Sequence, residues 1–130
     1  VRSFAEKLPF KDNCFDIVTV SFGIRNFYNI DKALNEISRV LKKDGYFFCL
    51  EFSTIKNKAF KKIYSLYSKI IPRYGSLFAN DTEAYSYLIQ SIQNFPNQKE
   101  LSKKIVKSGL NNVEVFDIMY GLASIHIASR

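Results

Sequence analysis

The chain has 130 residues, enough for one domain with a real core but not for two. Hydrophobic residues make up 47% and charged ones 24%, a globular balance that excludes disorder as the main state. Nineteen Lys and Arg against 12 Asp and Glu give +7, which favours anionic partners without choosing among nucleic acid, acidic lipid and phosphate ligands.

In chain order, Cys14 to Phe22 (CFDIVTVSF) reads as a short buried strand of a parallel sheet. A helix follows over about Asp31 to Lys43. Ile30, Ala33, Leu34, Ile37, Val40 and Leu41 share one face, while Lys32, Asn35, Glu36 and Arg39 fall elsewhere. Asn29 is the expected N-cap, and Gly45 the stop. Tyr46 to Phe52 is a second apolar strand, completing a βαβ unit. Lys56 to Ile71 is strongly amphipathic, with lysines opposite Phe60, Ile63, Tyr64 and Tyr67. A helix from about Asn80 to Asn94 comes next. Another starts at Asn97, whose spacing to Glu100 predicts a capping box, and it ends at Gly109. Val113 to Tyr120 and Leu122 to Ser129 read as strands around Gly121. The expected fold is α/β, a mostly parallel sheet with one antiparallel strand and flanking helices.

Several chemistries are poorly served. Cys14 and Cys49 lack disulfide-framework and metal-ligand spacing, so they read as reduced thiols of a cytoplasmic protein, with no metal site. The single histidine, His126, reads as a polar-facing strand residue, and no G-x-S-x-G elbow exists to serve it. Gly23, Gly45, Gly75, Gly109 and Gly121 are too far apart for a phosphate-binding loop. No apolar run spans a bilayer, and VRSFAEKLPF does not read as a signal peptide. One polar cluster remains, SFGIRN after the first strand, with Glu51 and Ser53 after the next. Open α/β sheets bind ligands beyond such carboxyl ends.

The stretch LPFKDNCFDIVTVSFGIRNFYNIDKALNEISRVLKKDGYFFCLEFS resembles the C-methyltransferases of ubiquinone and menaquinone biosynthesis. The match continues through IYSLYSKIIPRYGSLFANDTEAYSYLIQSIQNFPNQKEL and the GL, V, D, G, SIH and A of the ending. The resemblance implies a class I, Rossmann-like fold that uses S-adenosylmethionine. Residues 1–130 would form a single truncated domain, its C-terminal half, without the N-terminal glycine-rich cofactor loop. The implied strand order is four, five, seven, six, with Cys14 to Phe22 on an edge that pairs with the absent first strand.

Carried over by position, the resemblance places Phe4 and Ala5 at the adenine end of the cofactor, and Phe4 departs from the family's polar residue. Ser21 becomes a further cofactor contact. Arg25 becomes the catalytic group and Asn26 a substrate contact, with Asn80 and Tyr85 lining the ring pocket. Lys43 and Asp44 replace the usual Pro and Gly, which lengthens the helix or alters the turn. The implied reaction moves a methyl group to a ring carbon of a polyprenyl benzoquinol or demethylmenaquinol. Arg25 would stabilise phenolate-like charge or activate a water.

Expected partners are that quinol and the missing N-terminal half or a second copy. Peripheral association with the inner membrane is expected through the lysine face of Lys56 to Ile71. The alternatives are an inactive remnant or half of a split enzyme, and a basic module for nucleic acid or anionic membranes. Nucleic acid is disfavoured because many aromatics fall on apolar faces.

Overall fold

The computed structural model describes residues 2–62, 65 and 82–130, with side chains of 82–86 outside the described set. Four strands form one sheet: β1 (Phe15–Ser21), β2 (Leu41–Phe52), β3 (Asn111–Ile118) and β4 (Ala123–Ser129). Their order is β1-β2-β4-β3. β1 runs parallel to β2, while β4 runs antiparallel to both β2 and β3. Three strands therefore point one way and β4 against them. β1 stands at an edge, as the family resemblance implies.

Helix α1 (Ile30–Val40) begins where Asn29 accepts a hydrogen bond from the Lys32 amide. Helix α2 spans Thr82–Gln93 and α3 spans Gln98–Lys107. The Asn97–Glu100 capping box is present in both directions. Residues 58–62 are helical, and the rest of the expected Lys56 to Ile71 helix lies mostly outside the described residues.

The core sits between one sheet face and helices α1 and α3. Ile24, Leu34, Ile37, Leu41, Phe47, Leu101, Ile105 and Leu110 form it, all nearly sealed from solvent. The Lys104–Asp31 pair at 2.9 Å ties α3 to the start of α1. The opposite sheet face exposes Ile17, Tyr46, Phe116 and Ile118.

Two expectations need correction. Helix α1 stops at Val40, not Lys43, and Leu41 already has extended backbone. The pairing of β1 jumps from Leu41 to Tyr46, so residues 42–45 bulge out of the ladder. Asp44 takes a left-handed φ of 65°. A Cβ on Gly45 would lie 2.9 Å from the Lys42 carbonyl oxygen and 3.0 Å from that of Asp16. The KKDG run therefore alters the turn and does not lengthen the helix.

His126 is the second correction. It is 1% exposed, because Ser124, His126 and Ala128 face the helices. Ile125 and Ile127 take the other, half-buried face. Gln98 lies above His126 and accepts from its Nε2 at 3.0 Å. Among the described residues Nδ1 has no hydrogen-bond partner, and burial pushes the imidazole pKa below its ordinary value against the pull of that carbonyl.

Glu36 and Arg39, off the apolar face of α1, anchor the N-terminal segment. Glu36 accepts from the Leu8 amide at 2.8 Å, and Arg39 donates to the Phe10 and Leu8 carbonyls. The Arg39 fork holds the Glu36 carboxyl below the usual carboxylate range.

Candidate functional site

The carboxyl ends of β1 and β2 carry the loop that the sequence singled out. β1 ends at Ser21, which is exposed. Phe22 then takes a left-handed φ of 49°, and its amide donates to the Leu50 carbonyl. A non-glycine residue in that region stores strain, which tends to collect at working sites. One short 3-10 turn, Ile24–Asn26, follows, with Ile24 driven into the core.

That turn aims Arg25 back across the loop. Its Nη1 donates to Glu51 Oε1 at 2.7 Å and to the Phe22 carbonyl at 2.7 Å. Its Nε donates to Ser91 Oγ at 3.3 Å, reaching α2. Nη2 takes no part in these bonds. The guanidinium also lies 5.5 Å from the centre of the Phe52 ring, within cation–π range. The Glu51 side chain is 1% exposed and that of Arg25 11%. Glu51 Oε1 further accepts from the Phe52 amide at 2.9 Å, and Oε2 faces the Arg25 amide at 3.4 Å.

Beside Arg25 lies an open cavity of about 250 Å³, lined also by Ile30, Tyr87, Ser91, Asn94 and Phe95. The Tyr87 hydroxyl donates to Asn26 Oδ1 at 3.2 Å, closing one wall. The fold thus brings together Arg25, Asn26, Tyr87, Ser91 and Glu51. The sequence singles out the first two as site residues and places Glu51 in the same polar cluster, but names neither Tyr87 nor Ser91. Ser91 and Tyr87 were legible as one helical turn, i and i+4, inside the AYSYL and QSI stretch.

The other predicted site residues are more scattered. Phe4 is 81% exposed and its carbonyl accepts from the Lys7 amide of a local turn. Ala5 is half-buried next to it. Glu6 connects this turn to the site end by accepting from the Asn29 amide at 2.9 Å, a bond that lowers its pKa. Among the described residues no hydrogen bond links Phe4 or Ala5 to Ser21. Asn80 and the side chain of Tyr85 lie outside the described residues.

Sheet order, the reversed β4 and a polar loop beyond the β1 end define part of a class I methyltransferase fold. Solved structures bear this out. A SAM-dependent methyltransferase of Thermotoga maritima matches with TM-score 0.64 at 19% identity, covering 99% of this chain and 62% of that one. A SAM-dependent methyltransferase of Aquifex aeolicus matches with TM-score 0.63 at 15% identity, over 99% and 53%. A Haemonchus contortus N-methyltransferase solved with S-adenosylhomocysteine matches with TM-score 0.62 at 14% identity, over 97% and 35%.

The family follows from sequence: residues 1–130 match the ubiE/COQ5 methyltransferase family, and the chain belongs to it. The ubiquinone/menaquinone biosynthesis C-methyltransferase UbiE of Brucella canis is 45% identical over 127 residues, 97% of this chain and 47% of that protein. The UbiE of Zymomonas mobilis is 48% identical over 123 residues, 94% and 51% respectively. The chain spans about half the length of the curated relatives it matches.

Proposed function

We propose that these 130 residues are the substrate-side half of an S-adenosylmethionine-dependent C-methyltransferase. Its acceptor would be a ring carbon of a polyprenyl benzoquinol or demethylmenaquinol. The supporting observation is Arg25, held by Glu51, Ser91 and the Phe22 carbonyl at the rim of a cavity, with Asn26 set by Tyr87.

The methyl donor fits only in part. Ala5 and Ser21 are the candidate contacts at its adenine end, together with an exposed Phe4 that offers no hydrogen bond. No two glycines lie within ten residues of each other, so no tight loop wraps the methionine end. On this reading the 130 residues form one incomplete domain, and a partner segment carrying the glycine-rich loop completes the donor pocket by pairing with the β1 edge.

The acceptor side can be argued further. An aromatic carbon is a weak nucleophile until a neighbouring hydroxyl gives up its proton. Charge then develops on that oxygen, and a donor aimed at it lowers the barrier. Arg25 is the donor, but not as a free cation: Glu51 at 2.7 Å largely neutralises it. Its contribution is a fixed N–H direction from a planar fork anchored at Nη1 and Nε. Asn26 and Tyr87 position the ring.

The experiment supplies the N-terminal half of a UbiE relative, fused or in trans, in cells lacking their own quinone methyltransferase. Methylated quinone is measured by mass spectrometry. The proposal expects product with the native chain and at least a hundredfold less with Arg25→Lys, because a point charge cannot copy the fork. Undiminished product from Arg25→Lys overturns the assignment.

A further inference from the structure

We propose that Gln90 and Asn94 on α2 set the ring specificity of this protein: they favour an acceptor ring that carries an ether oxygen beside its hydroxyls and disfavour a fused apolar ring. The inference rests on the reading of the Arg25 cavity as the acceptor site and goes beyond it by choosing between acceptor rings.

Helix α2 turns a polar stripe to that cavity. Tyr87, Gln90, Ser91 and Asn94 all line it, at i, i+3, i+4 and i+7. The half-buried Leu88, Ile89 and Ile92 alternate with these positions and stay out of the lining. The other wall is apolar: Ile30, Phe95 and Pro96. A ring entering here meets carbon on one side and hydrogen-bonding groups on the other. Small-molecule sites carry few polar groups, and those few fix orientation and specificity.

Two of the four polar residues are already engaged. The Tyr87 hydroxyl donates to Asn26 Oδ1 at 3.2 Å. Ser91 Oγ accepts from Arg25 Nε at 3.3 Å and donates to the Leu88 carbonyl at 2.8 Å. Gln90 and Asn94 differ: among the described residues neither side-chain amide makes a hydrogen bond. Their backbone is nonetheless fixed. The Asn94 amide donates to the Gln90 carbonyl at 3.1 Å, which carries the helical register one residue past Gln93. Ser91 marks the level of Arg25 on α2. Asn94 lies three residues on, about 4.5 Å further along the axis, with Gln90 as its i−4 neighbour on the same face. The two amides therefore address the ring beyond the hydroxyl that Arg25 serves.

In the free chain both amides bond to water, and a bound ring strips that water away. An ether oxygen on the ring accepts from an amide N–H and replaces the lost bond. A fused benzo ring leaves the amide unpaired. A site that hydrogen-bonds a substituent rejects the analogue without it more strongly than an apolar site rejects a misfit in size. Apolar area alone argues the other way, since a naphthalene ring buries more carbon than a methoxybenzene and would win in a plain apolar slot. Preference for the oxygenated ring is thus a signature of the two amides.

The test uses the 130-residue chain in oxygen-free buffer with two tail-free probes, methoxyhydroquinone and naphthohydroquinone. Binding is followed by NMR through the side-chain NH2 signals of Gln90 and Asn94, each assigned by its disappearance in a Leu variant. Methoxyhydroquinone should bind at least about tenfold more tightly and should shift both signals. Gln90→Leu with Asn94→Leu should reverse the order by gaining affinity for naphthohydroquinone, a gain that a misfolded variant cannot give. Gln93→Leu, on the same helix but outside the cavity lining, should keep the native order.

Tighter binding of naphthohydroquinone by the native chain, or an unchanged ratio in the double variant, overturns the proposal. The Arg25 Nε–H signal separates that failure from failure of the underlying reading. If it shifts with both probes while the ratio stays unchanged, only the specificity proposal falls. If it shifts with neither, the cavity is not the acceptor site, and both fall together.

Discussion

Arg25 Nη1 lies 2.7 Å from Glu51 Oε1, and this pair joins the loop after β1 to the end of β2 with a carboxylate 1% exposed. Removing one partner of such a pair leaves the other charged and dry. Glu51→Gln should therefore destabilise the chain by about 3 kcal/mol in urea titration. Arg25→Met combined with Glu51→Gln should cost clearly less than the two single changes added together. Additive costs would mean that the two residues contribute independently.

The buried His126 gives stability a pH dependence of defined sign. Its folded pKa is lowered, first by burial, below an unfolded value of about 6.5. Between those values the unfolded chain binds more protons, so stability is complete above about pH 6.5 and falls as pH drops toward the folded pKa. Glu36 is a lowered carboxylate, and its contribution disappears only further down, below about pH 4.5. His126→Gln can keep the donor to the Gln98 carbonyl without titrating. Unfolding free energies between about pH 7.5 and 5.5 should slope for the native chain and stay flat for the variant.

Gly121 and Gly109 separate strain from collision. Both have φ near +90°, but a Cβ at Gly121 would lie 2.8 Å from the Thr54 carbonyl oxygen, against 3.4 Å from Ser38 Oγ at Gly109. Gly109→Ala should cost about 1 kcal/mol and Gly121→Ala about 2–3 kcal/mol, because only the second must also move backbone. Equal losses in thermal unfolding would contradict this close approach.

The two thiols should behave differently. Cys14 is exposed, and Cys49 is buried with its pKa pushed up to about 12 by burial and by the Glu51 charge. A thiolate-specific reagent at about pH 8 should label one thiol per chain quickly and the second only in denaturant.

Much of this was legible in the chain because it is local. The Asn29 cap, the Asn97–Glu100 box and the apolar face of α1 depend on neighbours within four residues, and all appear as read. The sheet order and the β1 edge came through the family resemblance, not through periodicity. The misreadings share a cause. The α1 stop depends on a long-range fit of Gly45 against Asp16, which lysine spacing does not reveal. The inward face of β4 is its polar one, because Gln98 on α3 waits above His126. Glu51 could be placed at a strand end, but its burial required knowing that Arg25 turns back toward it. Arg25 and Asn26 were named without the α2 residues that hold them.

The central claim is that these residues supply the acceptor side of a methyltransferase and only the rim of its donor pocket. Titration calorimetry of S-adenosylmethionine into the 130-residue chain tests it most directly. The account predicts binding no tighter than about a millimolar constant, roughly −4 kcal/mol. Adding the N-terminal half of a UbiE relative should tighten it to the micromolar range, near −8 kcal/mol. Saturable micromolar binding to the 130 residues alone would contradict the account, because a complete donor pocket would then lie within them.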